Sequence, residues 1–265
     1  AADGSTATPS LANSFATEIY TGNGYPSSGN QSITTGFATD FSWIKNRNVG
    51  NTIVLFDSIR GPGKQLASSN ASAQAGFNGT TLTSFDSNGY SVGVEQGVNG
   101  GGNGIVSWNW KAGGIPSINT DGTITSIVSA NQAAGFSVVS YTGNNTNNAT
   151  VGTGLTVACD LVIVKDLTSS GNSWCVGGSV VGNGNNLYLD ESLGTLVRDR
   201  IKSVQSNTFT LGNHGETNST NNFIAYCFTS ISGYQKIGSY TSDNQTTKNI
   251  SVGFRPSFLL LKRTN

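Results

Sequence analysis

The chain carries a single histidine, His214, inside the stretch "GNHGETNSTNN". Histidine moves protons near neutral pH more readily than any other side chain, and a Ser–His–Asp system would have to use this one. Its surroundings hold no nucleophile elbow, so His214 reads as a solvated loop residue. Glycan hydrolysis needs two carboxylates flanking the scissile bond. The 14 acidic residues are scattered among loops, and Asp57, three residues before Arg60, reads as half of a local ion pair beside a turn. "NGGGNG", Asn99–Gly104, has the glycines of a phosphate loop without the following Lys-Ser/Thr, and reads as a hairpin loop. Cys159, Cys175 and Cys227 form no CxxC pair, and read as small buried hydrophobes. No catalytic residue, metal or cofactor is expected, and the chain is not expected to be an enzyme.

Binding has a better case. Carboxylates and amides on loops can hold a sugar or a hard cation, but the DxDxDG spacing of a calcium loop is missing. Two loops occupy matching places in the sequence. One offers Glu95, Gln96, Asn99 and Asn103; the other offers Asn213, His214, Glu216, Asn218 and Asn221. These nine are the candidate ligand-binding residues. Trp43, Trp108, Trp110 and Trp174 sit in strand-like runs, where packing in the core is the default role.

The elements that must position these loops are strands. Of the 265 residues only 11% are charged and 35 are glycine; Asn, Ser, Thr and Gly favour turns over helix. A formal net charge of zero gives no electrostatic case for nucleic acid or an anionic membrane, and no apolar run approaches the ~20 residues of a membrane helix. "TIVLFDS" and "GFSVVSY" are β-branched or aromatic runs bounded by Gly and Asn. "LVIVK" and "FLLLK" are continuous apolar runs, as in strands covered on both faces. The best helical pattern is "LDESLGTLVRDRIKSV", Leu189–Val204, but Gly194 interrupts it; the stretch reads as a loop with at most one short helix.

The chain also repeats itself. "IYTGNG" at Ile19, "SYTGNN" at Ser140 and "SYTSDN" at Ser239 share a phrase, and each is followed by an apolar run closed by Lys45, Lys165 or Lys262. Phe41, Leu161 and Phe258 align, as do Trp43, Ile163 and Leu260. "GYSVG" then matches "TFTLG", and "IVSWNW" matches "FIAYCF", setting Trp108 against Tyr226. A spacing of roughly 100 residues is too long for a solenoid unit of ~20–50 and fits duplicated domains. The expected fold is all-β, with tandem antiparallel β-sandwich domains of jelly-roll type. The expected organisation is an N-terminal segment 1–12, a first repeat 13–130 and a second repeat 131–235. Residues 236–265 are expected to be a partial third repeat or sheet-completing strands, buried in this chain's sheet or a neighbour's.

"YTGNG", "TGFATDFSWIKNR", "LFDSIRG" and the terminal "VGFRPSFLLLKR" resemble a repeated domain of bacteriophage virion proteins, notably the tail-fibre-like proteins of cyanophages. That resemblance implies a concanavalin-like sandwich and a non-enzymatic virion role: tail fibre, capsid appendage or decoration, at the particle surface and therefore extracellular. Its implied partners are copies of itself, as a homo-oligomer of the trimeric kind found in phage fibres, other virion proteins, and host-surface glycan. The alternatives are a free carbohydrate-binding module or lectin and, least favoured, a glycan depolymerase. The second copy departs from the pattern, with "WCVGGSVVGNG" where the first has Asp57, Arg60 and Lys64.

Overall fold

The computed structural model describes residues 14–50, 53–77, 79–243 and 246–265; the expected N-terminal segment 1–12 lies outside them. The fold is all-β, with 38% strand and 2% helix, far below the ~30% helix of an average domain.

Two large antiparallel sheets face each other. The first contains β1 (Phe15–Thr21), β3 (Phe41–Asn46), β4 (Val54–Asp57), β5 (Lys64–Ala67), β6 (Ala75–Gly76) and β9 (Gly104–Trp110). Its strand order is β1-β9-β3-β4-β5-β6. The second contains β10 (Ser117–Asn119), β11 (Ser126–Asn131), β12 (Phe136–Thr142), β14 (Leu161–Asp166), β15 (Cys175–Gly177), β16 (Asn185–Tyr188), β17 (Leu196–Val197) and β20 (Asn222–Phe228). Its order is β10-β11-β12-β20-β14-β15-β16-β17. From β12 onward this repeats the order of the first sheet. The registers agree as well: Trp43 pairs with Trp108 and Ile163 with Tyr226.

Each large sheet carries a small three-stranded sheet on its other face. β2 (Gln31–Thr34), β7 (Leu82–Asp86) and β8 (Gly89–Val92) form one, in the order β2-β8-β7. β13 (Thr150–Gly152), β18 (Ile201–Val204) and β19 (Thr208–Leu211) form the other, in the order β13-β19-β18. This layering explains why β3 and β14 are buried on both faces along almost their whole length. Successive side chains point to opposite faces of a strand: Phe41 and Trp43 enter the core between the large sheets, while Ile44 enters the core under the small sheet. In β14, Ile163 faces the first and Val162 and Val164 the second.

The central core therefore draws on both repeats: Phe15, Phe41, Trp43 and Trp110 meet Phe136, Ile163, Tyr226 and Phe228. The rings of Phe41 and Tyr226 lie 4.3 Å apart. Asp57 and Arg60 do pair, at 2.5 Å, but inside this core and fully buried. Arg60 also donates to the Lys64 carbonyl (2.7 Å), and Tyr226 in the opposite sheet donates to Asp57 (2.8 Å).

Three expectations need correction. The boundary at 130/131 cuts β11; the change of sheet falls between Trp110 and Ser117, in the turn-forming "KAGGIP" segment, because the β10–β11 hairpin pairs with β12. Leu189–Val204 holds no helix: β17 and β18 occupy its end, since Ile201 is needed to bury against the small-sheet core. Residues 236–265, as far as described, form no strand and complete no sheet of this chain, which removes the first of the two sheets expected to take them. They run across the surface, held by Phe258 against Trp43, Trp108 and Trp110 at 5.3–6.1 Å, and by Thr195 N–H donating to the Thr264 carbonyl (2.8 Å). Leu259 and Leu261 remain 68% and 63% exposed. Of the third phrase, Asn244 lies outside the described residues. All three cysteines are buried and unpaired.

Candidate ligand-binding loops

The loop joining β8 to β9 folds around one helical turn, α1 (Gln96–Asn99). Glu95 caps it, accepting from Gly97 N–H at 2.6 Å. Tyr20, at the end of β1, donates to the Val98 carbonyl (2.7 Å). Asn99 has no exposed surface. Its Oδ1 accepts from Asn23 N–H (2.9 Å), and its Nδ2 donates to the Asn23 side chain and to the Gly29 and Gly93 carbonyls at 2.8–3.0 Å.

The loop joining β19 to β20 repeats this lock. His214 stands where Glu95 does, its Nδ1 accepting from Glu216 N–H (3.3 Å). Tyr141 donates to the Thr217 carbonyl (2.7 Å). Asn218, also without exposed surface, accepts from Asn144 N–H (3.0 Å) and donates to the Thr146 and Gly212 carbonyls at 2.8–3.0 Å. The repeated Tyr-Thr-Gly-Asn phrase is one half of the lock. Its glycine is required by the close approach: a Cβ on Gly22 would sit 2.2 Å from the Gly100 carbonyl oxygen, and one on Gly143 would sit 1.9 Å from that of Ser219.

The nine candidates therefore separate. Asn99 and Asn218 are buried pins whose amides are spent on backbone groups. Asn221 is committed to Asp166 (2.7 Å) and Ser169 (2.9 Å), and the Asn103 carbonyl accepts from Gly22 N–H (2.9 Å). Glu95, Gln96 and Asn103 are partly exposed beside the loop carrying Asn23 and Tyr25, both exposed. Asn213 is exposed; His214 and Glu216 are partly so.

Glu216 belongs to a cluster that the sequence did not reveal. Its Oε2 accepts from Arg200 Nε (2.5 Å) and from the Tyr188 hydroxyl (2.9 Å). Burial, and then the Glu216 carboxylate, push the Tyr188 phenol up to about 12. Burial, aided by Arg200 and Arg198, lowers the imidazole of His214, with Glu216 opposing. A histidine held toward its neutral form and a phenol held protonated both present hydrogen-bonding groups at this surface. By strand register and loop position, Tyr188, Arg200 and Glu216 fall where the first repeat has Ala67, Thr81 and Gly97. Charges in one copy without a match in the other are the sequence signal that could have found this cluster. Among the described residues, no three His, Cys, Asp or Glu side chains are grouped to hold a metal, and no helix is long and apolar enough to cross a membrane.

No curated protein and no solved structure matches the chain. One family model matches it over residues 10–265, almost its full length, and on that match the chain belongs to the family described as Domain of unknown function (DUF7483).

Proposed function

We propose that the chain is a non-enzymatic structural component of a bacteriophage particle, in a tail fibre or capsid appendage, assembling with copies of itself and with other particle proteins at the extracellular surface. The observation that carries this reading is the segment Phe258–Leu261. It repeats the apolar run of β3 and β14, yet its leucines lie outside any sheet and largely in solvent. A strand-competent apolar run in that state favours pairing with a second chain. Further support comes from the loops, whose most buried polar groups brace the backbone. The test is to purify particles and measure whether the chain co-sediments at a fixed copy number. A chain recovered only as free protein would overturn the reading.

A second reading, a free carbohydrate-binding module or lectin, is favoured by Tyr25. Its side chain is 59% exposed on the loop pinned by Asn99, beside the Asn23 amide, and an exposed ring on a braced loop suits stacking on a sugar. Glycan-array binding that is lost in Tyr25→Ala, by a protein absent from particles, would favour this reading over the first.

A further inference from the structure

Between the two large sheets, beneath the C-terminal segment, lies a cavity of about 420 Å³. It is open to solvent on one side, and its size falls within the ~300–1,000 Å³ of small-molecule pockets. Its walls are apolar: Trp43 and Trp110 from one sheet, Ile163 and Phe228 from the other, with Phe254 and Phe258 from the overlying segment. These aromatic and aliphatic walls suit the apolar part of a guest entering from the solvent side.

Two features say what the guest's polar end should be. The Tyr234 residue lining the cavity is only 8% exposed, and its hydroxyl has no hydrogen-bond partner among the described residues; the nearby Ser14 hydroxyl does not meet hydrogen-bonding geometry with it. A buried hydroxyl left unpaired is costly, and a ligand oxygen would satisfy it. The charged residues bordering the cavity, Lys236 and Arg255, are both cations exposed to solvent, and among the described residues no carboxylate lines it. Asp160, which Lys236 also influences, is held by Ser179 (2.7 Å) and by Ser230 N–H (2.7 Å).

We propose that this cavity binds one amphiphile with an alkyl chain and an anionic head. The chain packs among Trp43, Trp110, Ile163 and Phe228, an oxygen near the head accepts from Tyr234, and the head lies between Lys236 and Arg255. This site goes beyond the particle role proposed above and does not depend on it.

The test is titration of the full chain with dodecanoate, dodecanol and dodecyltrimethylammonium, each below its micelle concentration. Tryptophan fluorescence would follow occupancy and native mass spectrometry would count the bound molecules. Dodecanoate is expected to saturate at one per chain. The cationic probe is expected to bind roughly 10-fold more weakly, as two exposed charges suffice for that preference. The double variant K236E/R255E should reverse the order. Ile163→Trp, which fills the cavity, should abolish binding with the strand circular-dichroism signal retained. Should that variant fail to fold, Tyr234→Phe replaces it, weakening dodecanoate several-fold and leaving the cationic probe unchanged. Absence of saturable dodecanoate binding would overturn the proposal. So would equal affinity for all three probes, or unchanged binding in the variant that folds.

Discussion

Asn218 exposes no surface, and its amide satisfies Asn144 N–H and two carbonyls; Asn99 does the same work in the other repeat. Replacing either by Ala strands several buried backbone groups at once, which should cost about 2–4 kcal/mol in urea unfolding. By contrast, Asn213→Ala should change stability by no more than about 0.5 kcal/mol, because that side chain lies in solvent. His214 makes a prediction with a sign. Its folded pKa lies below the ordinary value of 6.5, so the unfolded chain takes up this proton more readily than the folded one. Stability should fall as pH drops from about 6.5 through the folded value, and should not depend on this group above that window. His214→Gln should flatten that slope in thermal melts between pH 7.5 and 5.5; an unchanged slope would exclude His214 as its source. Little of this was legible beforehand. Asn99, Asn218 and Asn213 look alike as loop asparagines. Which amide becomes a pin depends on the Asn23 and Asn144 loops returning across more than ~70 positions of sequence, and no local pattern reports such a contact.

Strands were the legible elements. The runs ending at Lys45 and Lys165 announce β3 and β14, because a strand buried on both faces shows no alternation to misread. The stretch Leu189–Val204 has a helix-like spacing of leucines, yet becomes β17 and β18: tertiary burial of Ile201 overrides a weak local preference. The C-terminal run misled for a related reason. It has the composition of β3 and β14, but composition cannot supply the two neighbouring strands each of them has. What it contributes is Phe258, set among three tryptophans and Phe15. Phe258→Ala should cost about 1.5–3 kcal/mol, less than a fully enclosed ring, since Phe258 is only half-buried. It should also red-shift the tryptophan emission as water reaches Trp43 and Trp108. At the loop locks, Gly22→Ala and Gly143→Ala should each be more severe. The added methyl meets backbone oxygen and not a side chain that could turn away, so poor expression or a melting temperature lowered by 10 °C or more is expected; a ~1 kcal/mol loss moves a chain of this size by only ~2–4 °C.

For the molecule as a whole, the duplicated strand order suggests two separable units, but the central core contradicts separability. Phe41 and Trp110 pack on Phe136, Tyr226 and Phe228, and Arg60 is enclosed in a core that the other repeat completes. Unfolding should therefore be one cooperative transition by calorimetry, and Tyr226→Phe should lower its midpoint without splitting it, since Asp57 would lose one buried partner worth about 1–3 kcal/mol. Two resolved endotherms would show that the repeats melt independently. The shared core also imposes an order on synthesis. When the ribosome has made the six-stranded sheet, the face bearing Phe41, Trp43 and Trp110 has nothing to cover it. The remaining sheet takes roughly 6–25 s to emerge at bacterial or eukaryotic elongation rates. During that interval the nascent chain presents an aromatic surface to the cytosol, where holdase chaperones or a neighbouring nascent chain on the same message can reach it first.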